Sequence, residues 1–230
     1  MTAPGYFVTG TDTGVGKTAV AAALMRALQR RGLSVAGMKP IAAGCSPTPQ
    51  GLRNDDALRL QAQDSVELPY DTVNPYAFEP PIAPHVAAAE AGVEIRAARI
   101  LEAFGSLQAQ VECVVVEGIG GWQVPINGRQ TTADLARELG LPVVLVVGLR
   151  LGCLNHALLT RDAIRSAGVG CAGWVATQIE PGMSRADDIL HALQERLGAP
   201  LLGAVPYLDP WDPGAFDAYI EAPGRRPGPA

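Results

Sequence analysis

Excess positive charge is missing from this chain. Its 230 residues carry 18 Lys and Arg against 23 Asp and Glu, a net charge of -5. That balance excludes a nucleic-acid binder that gains its affinity by neutralising a phosphate backbone, although a small local basic site is compatible with it. Paired thiol ligands are missing too. Cys45, Cys113, Cys153 and Cys171 show no C-x-x-C spacing, and three of them lie in apolar stretches where a thiol serves as core filler, so reduced cysteines are expected. The three histidines form no cluster. Capping or core hydrogen bonding is the expectation for His85 and His156, and a polar helix face for His191. The most apolar stretch, Leu141 to Leu151, is interrupted by Pro142, Gly148 and Arg150 and falls short of the roughly 20 residues that span a bilayer. No basic region followed by an apolar run precedes the first glycine-rich loop. A cytoplasmic protein without membrane contact is therefore expected.

What the chain does have is a hydrophobic content of 48%, ample for a sizeable core, and the length of one large domain, expected over residues 1–222. The tail from Pro223 to Ala230 is Pro, Gly and Arg without apolar anchors and is expected to be disordered. Short β-branched runs alternate with segments of helical period. Strands are expected at Tyr6 to Thr9, Ser34 to Met38, Cys113 to Glu117, Val143 to Val147, Gly173 to Thr177 and Leu201 to Ala204. Helices are expected near Lys17 to Arg31, Asp55 to Gln63, Arg96 to Gln110, Thr132 to Leu139, Leu154 to Ala167 and Arg185 to Leu197. The pattern predicts an α/β fold, a doubly wound, mostly parallel sheet with helices on both faces. Two stretches break it: Pro40 to Asn54, rich in Gly and Pro, and Leu68 to Pro84, whose five prolines argue against regular helix. Trp122 and Trp174 are expected in the core or a pocket wall.

The segment YFVTGTDTGVGKTAVAAALMRAL runs from an apolar strand through glycine and small polar residues into a helix. That order is what a phosphate-binding P-loop requires. Inward-facing N–H groups and the positive end of the helix bind phosphate oxygens, and Gly16 lets the backbone approach without a side-chain clash. Lys17 then reaches the β- and γ-phosphates, while the Thr18 hydroxyl ligates Mg²⁺. The loop is a variant, because the first position of G-x-x-x-x-G-K-[ST] is Thr11, with Gly10 one residue earlier. A nucleoside triphosphate with Mg²⁺ is the expected ligand.

Carboxylates for the metal are sought at strand and loop ends. Glu117 closes the apolar run of Val114, Val115 and Val116 and precedes Gly118, Ile119, Gly120 and Gly121. In a doubly wound sheet ligands bind beyond the carboxyl ends of the strands, so Glu117 can face the phosphate loop. Asp55 and Asp56 follow Asn54 at a predicted helix start, where acidic residues often serve only as caps. Either could be a second metal carboxylate. Lys39 ends the second strand, a place where a lone lysine is usually a solvated terminus.

Seven blocks, GTDTGVGKT (10–18), MKPIAAG (38–44), GLRNDDAL (51–58), VNPYAF (73–78), VVVEGIGGW (114–122), VVGLRLGCLNHALLT (146–160) and AGWVA (172–176), resemble dethiobiotin synthetases in content and order. The resemblance covers about Tyr6 to Leu208. It implies ATP-dependent closure of a cyclic urea, in which 7,8-diaminopelargonate, CO₂ (or bicarbonate) and ATP give dethiobiotin, ADP and phosphate through a carbamate and a carbamic-phosphoric anhydride. It implies Lys39, Lys17 and Thr13 at the reacting groups, and Thr18, Asp56 and Glu117 as metal-shell residues, so that Asp56 is preferred over Asp55. Nucleotide contacts implied are Gly14, Val15, Gly16, Lys17, Thr18, Asp56, Glu117, Gly118, Ile119, Gly120, Thr177, Gln178, Pro206, Tyr207 and Leu208. Substrate contacts implied are Lys39, Ala43 and the helix start Gly152, Cys153, Leu154 and Asn155, the last four from the second subunit of a homodimer. Free N–H groups at a helix start suit a carboxylate.

Three positions depart from the family pattern. Many relatives have Glu at Gly14, and many a hydroxyl residue at Ala43. Well-known members have Asn at Thr177, whose amide reads the purine, whereas threonine offers a single hydroxyl. A ParA- or MinD-like ATPase switch is the rival reading, but such proteins carry a second lysine early in the loop, where this chain has Thr11 and Asp12.

Overall fold

The structure is a computed structural model that describes residues 5–209 and 212–224. Ten strands and eight α-helices are described, in the chain order β1 (Gly5–Gly10), α1 (Lys17–Gln29), β2 (Val35–Met38), β3 (Ile41–Ala43), β4 (Ser46–Thr48), β5 (Gly51–Arg53), α2 (Asp55–Gln61), α3 (Tyr70–Val73), β6 (Tyr76–Phe78), α4 (Pro84–Glu90), α5 (Ala97–Gln108), β7 (Cys113–Glu117), α6 (Thr132–Leu139), β8 (Val143–Leu149), α7 (Cys153–Ser166), β9 (Cys171–Gln178), α8 (Ala186–Leu197) and β10 (Leu201–Val205). A 3₁₀ turn over Pro213–Ala218 follows.

Six of the strands form one parallel sheet in the order β10-β9-β8-β1-β7-β2. A parallel sheet must be covered on both faces, and the strands of this one are near-continuous apolar runs for that reason. The pleat sends alternate residues to opposite faces. Phe7, Val114 and Val116 enter one core with residues of α5, α6, α7 and α8, whereas Tyr6, Val8, Cys113 and Val115 enter a second core under α1. Helix α1 is rich in alanine, with Ala19, Ala21, Ala22, Ala23 and Ala27 buried, which lets it lie close to the sheet. The doubly wound reading of the sequence is therefore the observed fold, and all six expected sheet strands are present.

The two proline-rich stretches hold more structure than expected. Pro40 to Asn54 contains β3 and the small β4–β5 hairpin, and β3 pairs with β6 from the second stretch. Leu68 to Pro84 contains the single helical turn α3, correcting the expectation of no helix there. Pro69 stands at its N-cap, and Pro84 opens α4 at its first position. At a helix start a missing N–H costs nothing, so these prolines begin helices instead of breaking them.

All four cysteines are free thiols, and Cys45, Cys113 and Cys153 are buried. Trp122 packs edge-on against Phe7 with centroids 6.4 Å apart, and Trp174 is fully buried. At the far end, Arg31 donates to the carbonyls of Ala222 (2.5 Å) and Pro223 (2.7 Å). The rest of the expected tail, from residue 225, lies outside the described residues.

Candidate active site

The carboxyl ends of β1, β7, β2 and β9 open onto a cleft of about 820 Å³. Its floor is the phosphate loop between β1 and α1. Gly14 and Gly16 take left-handed backbone angles, with φ of 75° and 86°, a conformation that glycine adopts without strain. A side chain at Gly14 would meet nothing within 4 Å, so the backbone angle alone opposes one there. Gly16 is the N-cap of α1 and no side chain caps the helix. Its first N–H groups are therefore available to an anion, reinforced by the helix dipole.

Lys17 is buried and donates to the carbonyl of Asp12 at 2.9 Å. The Asp12 carboxylate accepts from the backbone N–H of Thr13 at 2.8 Å and from Arg150 at 2.5 Å. Sequence reasoning missed Asp12 and Arg150, which brace the loop across 138 residues of chain. Burial, followed by the neighbouring Lys39 ammonium, lowers the Lys17 pKa to about 8.

Lys39 is built into the site from the other side. Its N–H donates to the carbonyl of Val73 at 2.8 Å, and its own carbonyl accepts from Asn74 Nδ2 at 2.6 Å. Asn74 Oδ1 accepts from Tyr70 at 3.0 Å, and the same hydroxyl accepts from the N–H of Asn54 at 2.8 Å. Asn54 in turn caps α2 through the N–H groups of Asp56 and Ala57. One polar chain thus fixes both Lys39 and Asp56. The proline-rich segment is the scaffold that supplies it.

The Lys39 ammonium lies 2.6 Å from Glu117 Oε1 and 3.2 Å from Asp56 Oδ2. Thr18 Oγ1 donates to that same Glu117 oxygen at 2.9 Å. Lys39 is buried, yet the two carboxylates outweigh burial and raise its pKa. Burial alone would raise the pKa of Asp56, but the attraction of Lys39 dominates and lowers it. The residue reading that left Lys39 as a solvated strand end is corrected: 5% of it is exposed.

The oxygen set fits Mg²⁺. Glu117 is buried and its Oε2 has no hydrogen-bond partner among the described residues, while Asp56 and the Thr18 hydroxyl supply further hard donors in the same cleft. Among the described residues no group of three or more His, Cys, Asp or Glu could hold a metal alone. A Mg²⁺ ion suits such a site because it is commonly held by one or two carboxylates together with phosphate oxygens.

Thr13, Gly14, Gly16, Lys17, Thr18, Lys39, Ala43, Asp56, Glu117, Ile119, Gly120, Gln178 and Tyr207 all line the cleft. Val15, Gly118, Thr177, Pro206 and Leu208 do not. Thr177 is buried, and its hydroxyl donates to the carbonyl of Val15 at 2.7 Å. That donation ties β9 to the phosphate loop. Asp55 is exposed on the first turn of α2 outside the lining, in keeping with a dipole role. Residues of Gly152–Asn155 stand apart from the cleft at the uncapped start of α7, where Gly152 has φ of 92° and Leu151 is 96% exposed. Asn54, Arg59, Ile82 and Val124 also line the cleft and were not anticipated.

Residues 4–214 match the family model described as an AAA domain. A relative named ATP-dependent dethiobiotin synthetase BioD, from Pseudomonas aeruginosa, is 56% identical over 219 residues, covering 95% of this chain and 96% of its own length. One of the same name from Aromatoleum aromaticum is 53% identical, covering 97% of this chain and all of its own length. Among solved structures, a ParA family ATPase from Chlorobium tepidum matches with a TM-score of 0.55 at 14% identity, covering 91% of this chain and 86% of its own. MinD from Pyrococcus horikoshii matches with 0.51 at 19%, covering 88% and 81%. At such identities these two share the fold alone. With more than half of its residues identical over nearly the full length of curated relatives, the chain belongs to the ATP-dependent dethiobiotin synthetase family.

Proposed function

We propose that the protein is a dethiobiotin synthetase, a ligase that closes the cyclic urea of dethiobiotin from 7,8-diaminopelargonate, CO₂ and ATP. The observation that supports this most strongly is the convergence, in a member of that family, of Lys17 and Lys39 on the end of the cleft that also holds Thr18, Asp56 and Glu117. A carbamate is a poor electrophile because oxide would have to leave. Phosphorylation of its oxygen turns that oxygen into part of a phosphate leaving group, which the second amine displaces.

Each residue then has a physical task. The loop N–H groups and Lys17 hold the phosphates, and Thr13 hydrogen-bonds the transferring group. Lys39 offsets negative charge on the carbamate and the moving phosphoryl group, a contribution that grows as charge spreads in the transition state. Thr18, Asp56 and Glu117 would hold Mg²⁺, which would neutralise phosphate charge. Gln178 and Tyr207 are the base-side contacts. With the Thr177 hydroxyl committed to Val15, base preference would rest on Gln178 and backbone groups.

We further propose a homodimer in which the α7 start at Gly152 to Asn155 receives the substrate carboxylate of the partner's site. The exposed Leu151 beside it and a helix start that no side chain caps support that reading. None of the described helices is long and apolar enough to cross a membrane, and a cytoplasmic enzyme is the corresponding proposal. A ParA-like switch has only a distant likeness of fold in its favour.

The deciding experiment incubates the purified protein with 7,8-diaminopelargonate, bicarbonate and Mg²⁺ with ATP, GTP or CTP in turn, and detects dethiobiotin by mass. Product with ATP is expected. No product with any of the three would refute the assignment.

A further inference from the structure

The cleft is lined by three cationic side chains, Lys17, Lys39 and Arg59. Two of them are satisfied from within the protein: Lys17 by the carbonyl of Asp12, and Lys39 by Glu117 and Asp56. Arg59 differs. It is exposed and has no hydrogen bond or ion pair among the described residues, although its charge is felt at Asp56. Asp56 and Arg59 are three residues apart on α2, so they share one face of the helix. Ala57 and Leu60 on the adjoining side are buried, and Leu60 packs against Gly37 of β2. That packing fixes which way the Asp56–Arg59 face looks.

Topology places Arg59 relative to the ligand. The sheet order β10-β9-β8-β1-β7-β2 puts Gln178, at the end of β9, and Tyr207, after β10, toward one edge. The phosphate loop follows central β1. Glu117, at the end of β7, and Lys39 and the α2 residues, after β2, lie toward the other edge. A triphosphate seated in the loop with its base toward Gln178 and Tyr207 therefore directs its terminal phosphoryl group, and the acceptor beyond it, toward α2. An unpaired guanidinium stands on the acceptor's side of the reaction.

We propose that Arg59 is a substrate-recognition residue whose guanidinium receives the carbamate oxygens. This rests on the ligase reading above. The carbamate forms when an amine of the substrate attacks CO₂ and releases a proton, giving R–NH–COO⁻. That product is a planar anion with two oxygens, the shape a guanidinium fork matches with paired hydrogen bonds. The free substrate presents ammonium groups, which the same cation repels. Arg59 thus favours the carboxylated over the uncarboxylated ligand, and no ion pair among the described residues competes for it. Lys39 and Lys17 cannot supply that bidentate geometry, because an ammonium is a point charge.

The test compares wild type with Arg59→Gln and Arg59→Lys. The residue is exposed, so both variants should fold, which circular dichroism and an unchanged Tm would verify. Bound carbamate is read by ¹³C NMR with 7,8-diaminopelargonate and ¹³C-bicarbonate, with and without a non-hydrolysable ATP analogue. Affinity for that analogue with Mg²⁺ is measured separately. Arg59→Gln should lower the bound carbamate population about tenfold and raise the KM for 7,8-diaminopelargonate similarly, as expected for one charge-assisted interaction. Affinity for the analogue should stay within about twofold. Arg59→Lys should recover only part of the loss, because charge returns without the fork. An unchanged carbamate signal would overturn the inference. So would an equal fall in analogue affinity, which would assign the guanidinium to phosphate or to the Asp56 metal shell. A wild-type enzyme that turns over but holds no carbamate would overturn it while leaving the ligase reading intact. A wild type that makes no dethiobiotin would defeat that reading itself.

Discussion

Lys17 and Lys39 are both buried lysines in one cleft, and their surroundings drive them in opposite directions. Lys17 has a backbone carbonyl as its hydrogen-bond partner, and burial with a like charge beside it brings its pKa down to about 8. Lys39 is more deeply buried, but contacts with Glu117 and Asp56 raise its pKa. The first lysine is short of negative charge and gains most from a phosphate. The second is already neutralised and must share its carboxylates with whatever cation the ligand brings. The difference separates two tasks: anchoring the triphosphate, and holding a cation ready for the acceptor.

Lys39→Met attacks this comparison most directly. Removing one partner of a buried pair strands the other, and Glu117 is 1% exposed. The variant should lose about 3 kcal/mol of stability in urea unfolding without nucleotide, the size typical of a broken buried pair. Turnover should fall by about a thousandfold or more if transition-state charge is what Lys39 offsets. The double variant Lys39→Met with Glu117→Gln should recover most of the stability and none of the turnover. If the single variant retains both stability and near-normal turnover, the ion pair is neither structural nor catalytic.

The phosphate-loop half of the contrast was open to reading in the sequence because its parts are contiguous. A strand, a glycine turn and Gly16, Lys17 and Thr18 declare their chemistry within a dozen residues. Glu117 was legible for a related reason, since a run of valines ends on a carboxylate. Lys39 was not, and only the family resemblance gave it a role. Its partners Asp56 and Glu117 lie 17 and 78 positions away, and no local pattern encodes that convergence. Its scaffold was hidden as well: the Asn54–Tyr70–Asn74 chain crosses a segment whose prolines suggested loop. Helix α3 and strand β6 exist there because tertiary partners overrule weak local preference. At Thr177 side-chain chemistry alone could not say which way the hydroxyl faces. Packing turns it toward Val15.

A smaller effect sharpens the contrast through pH. Lys17 must be protonated to hold a phosphate, and its pKa of about 8 means that the free protein loses this charge above that pH. Triphosphate affinity should therefore hold steady below pH 8 and decline above it, approaching about tenfold per pH unit as one proton becomes linked to binding. Folding stability responds with the opposite sign, because between about 8 and 10.5 the unfolded chain binds more protons at this site and stability rises with pH. Lys39 stays charged throughout and adds no break of its own. Calorimetric titration from about pH 7 to pH 9.5 would read the curve. A flat profile would show that Lys17 remains charged and that the two lysines are alike.

The smallest effect concerns the strand that carries Lys39. Asp64 Oδ1 accepts from the N–H of Gly37 at 2.7 Å, two residues before Lys39, while its Oδ2 is buried without a partner among the described residues. Burial raises its pKa to about 7, against the opposing effect of that N–H. Between its ordinary value of 3.8 and about 7, the native state holds more protons than the unfolded chain. Stability at this site therefore falls as pH rises through that window, and the full cost is present above it. Asp64→Asn keeps an acceptor for Gly37 and removes the charge. The unpartnered NH₂ carries the same penalty at every pH, so the informative quantity is the difference between two pH values. Relative to wild type, the Tm of the variant should be higher by a few degrees at about pH 8 than at about pH 4. Equal shifts at both would mean that burial does not raise the Asp64 pKa above its value in the unfolded chain. Turnover should change less than about twofold, because Val73 and Asn74 hold the Lys39 backbone independently of Gly37.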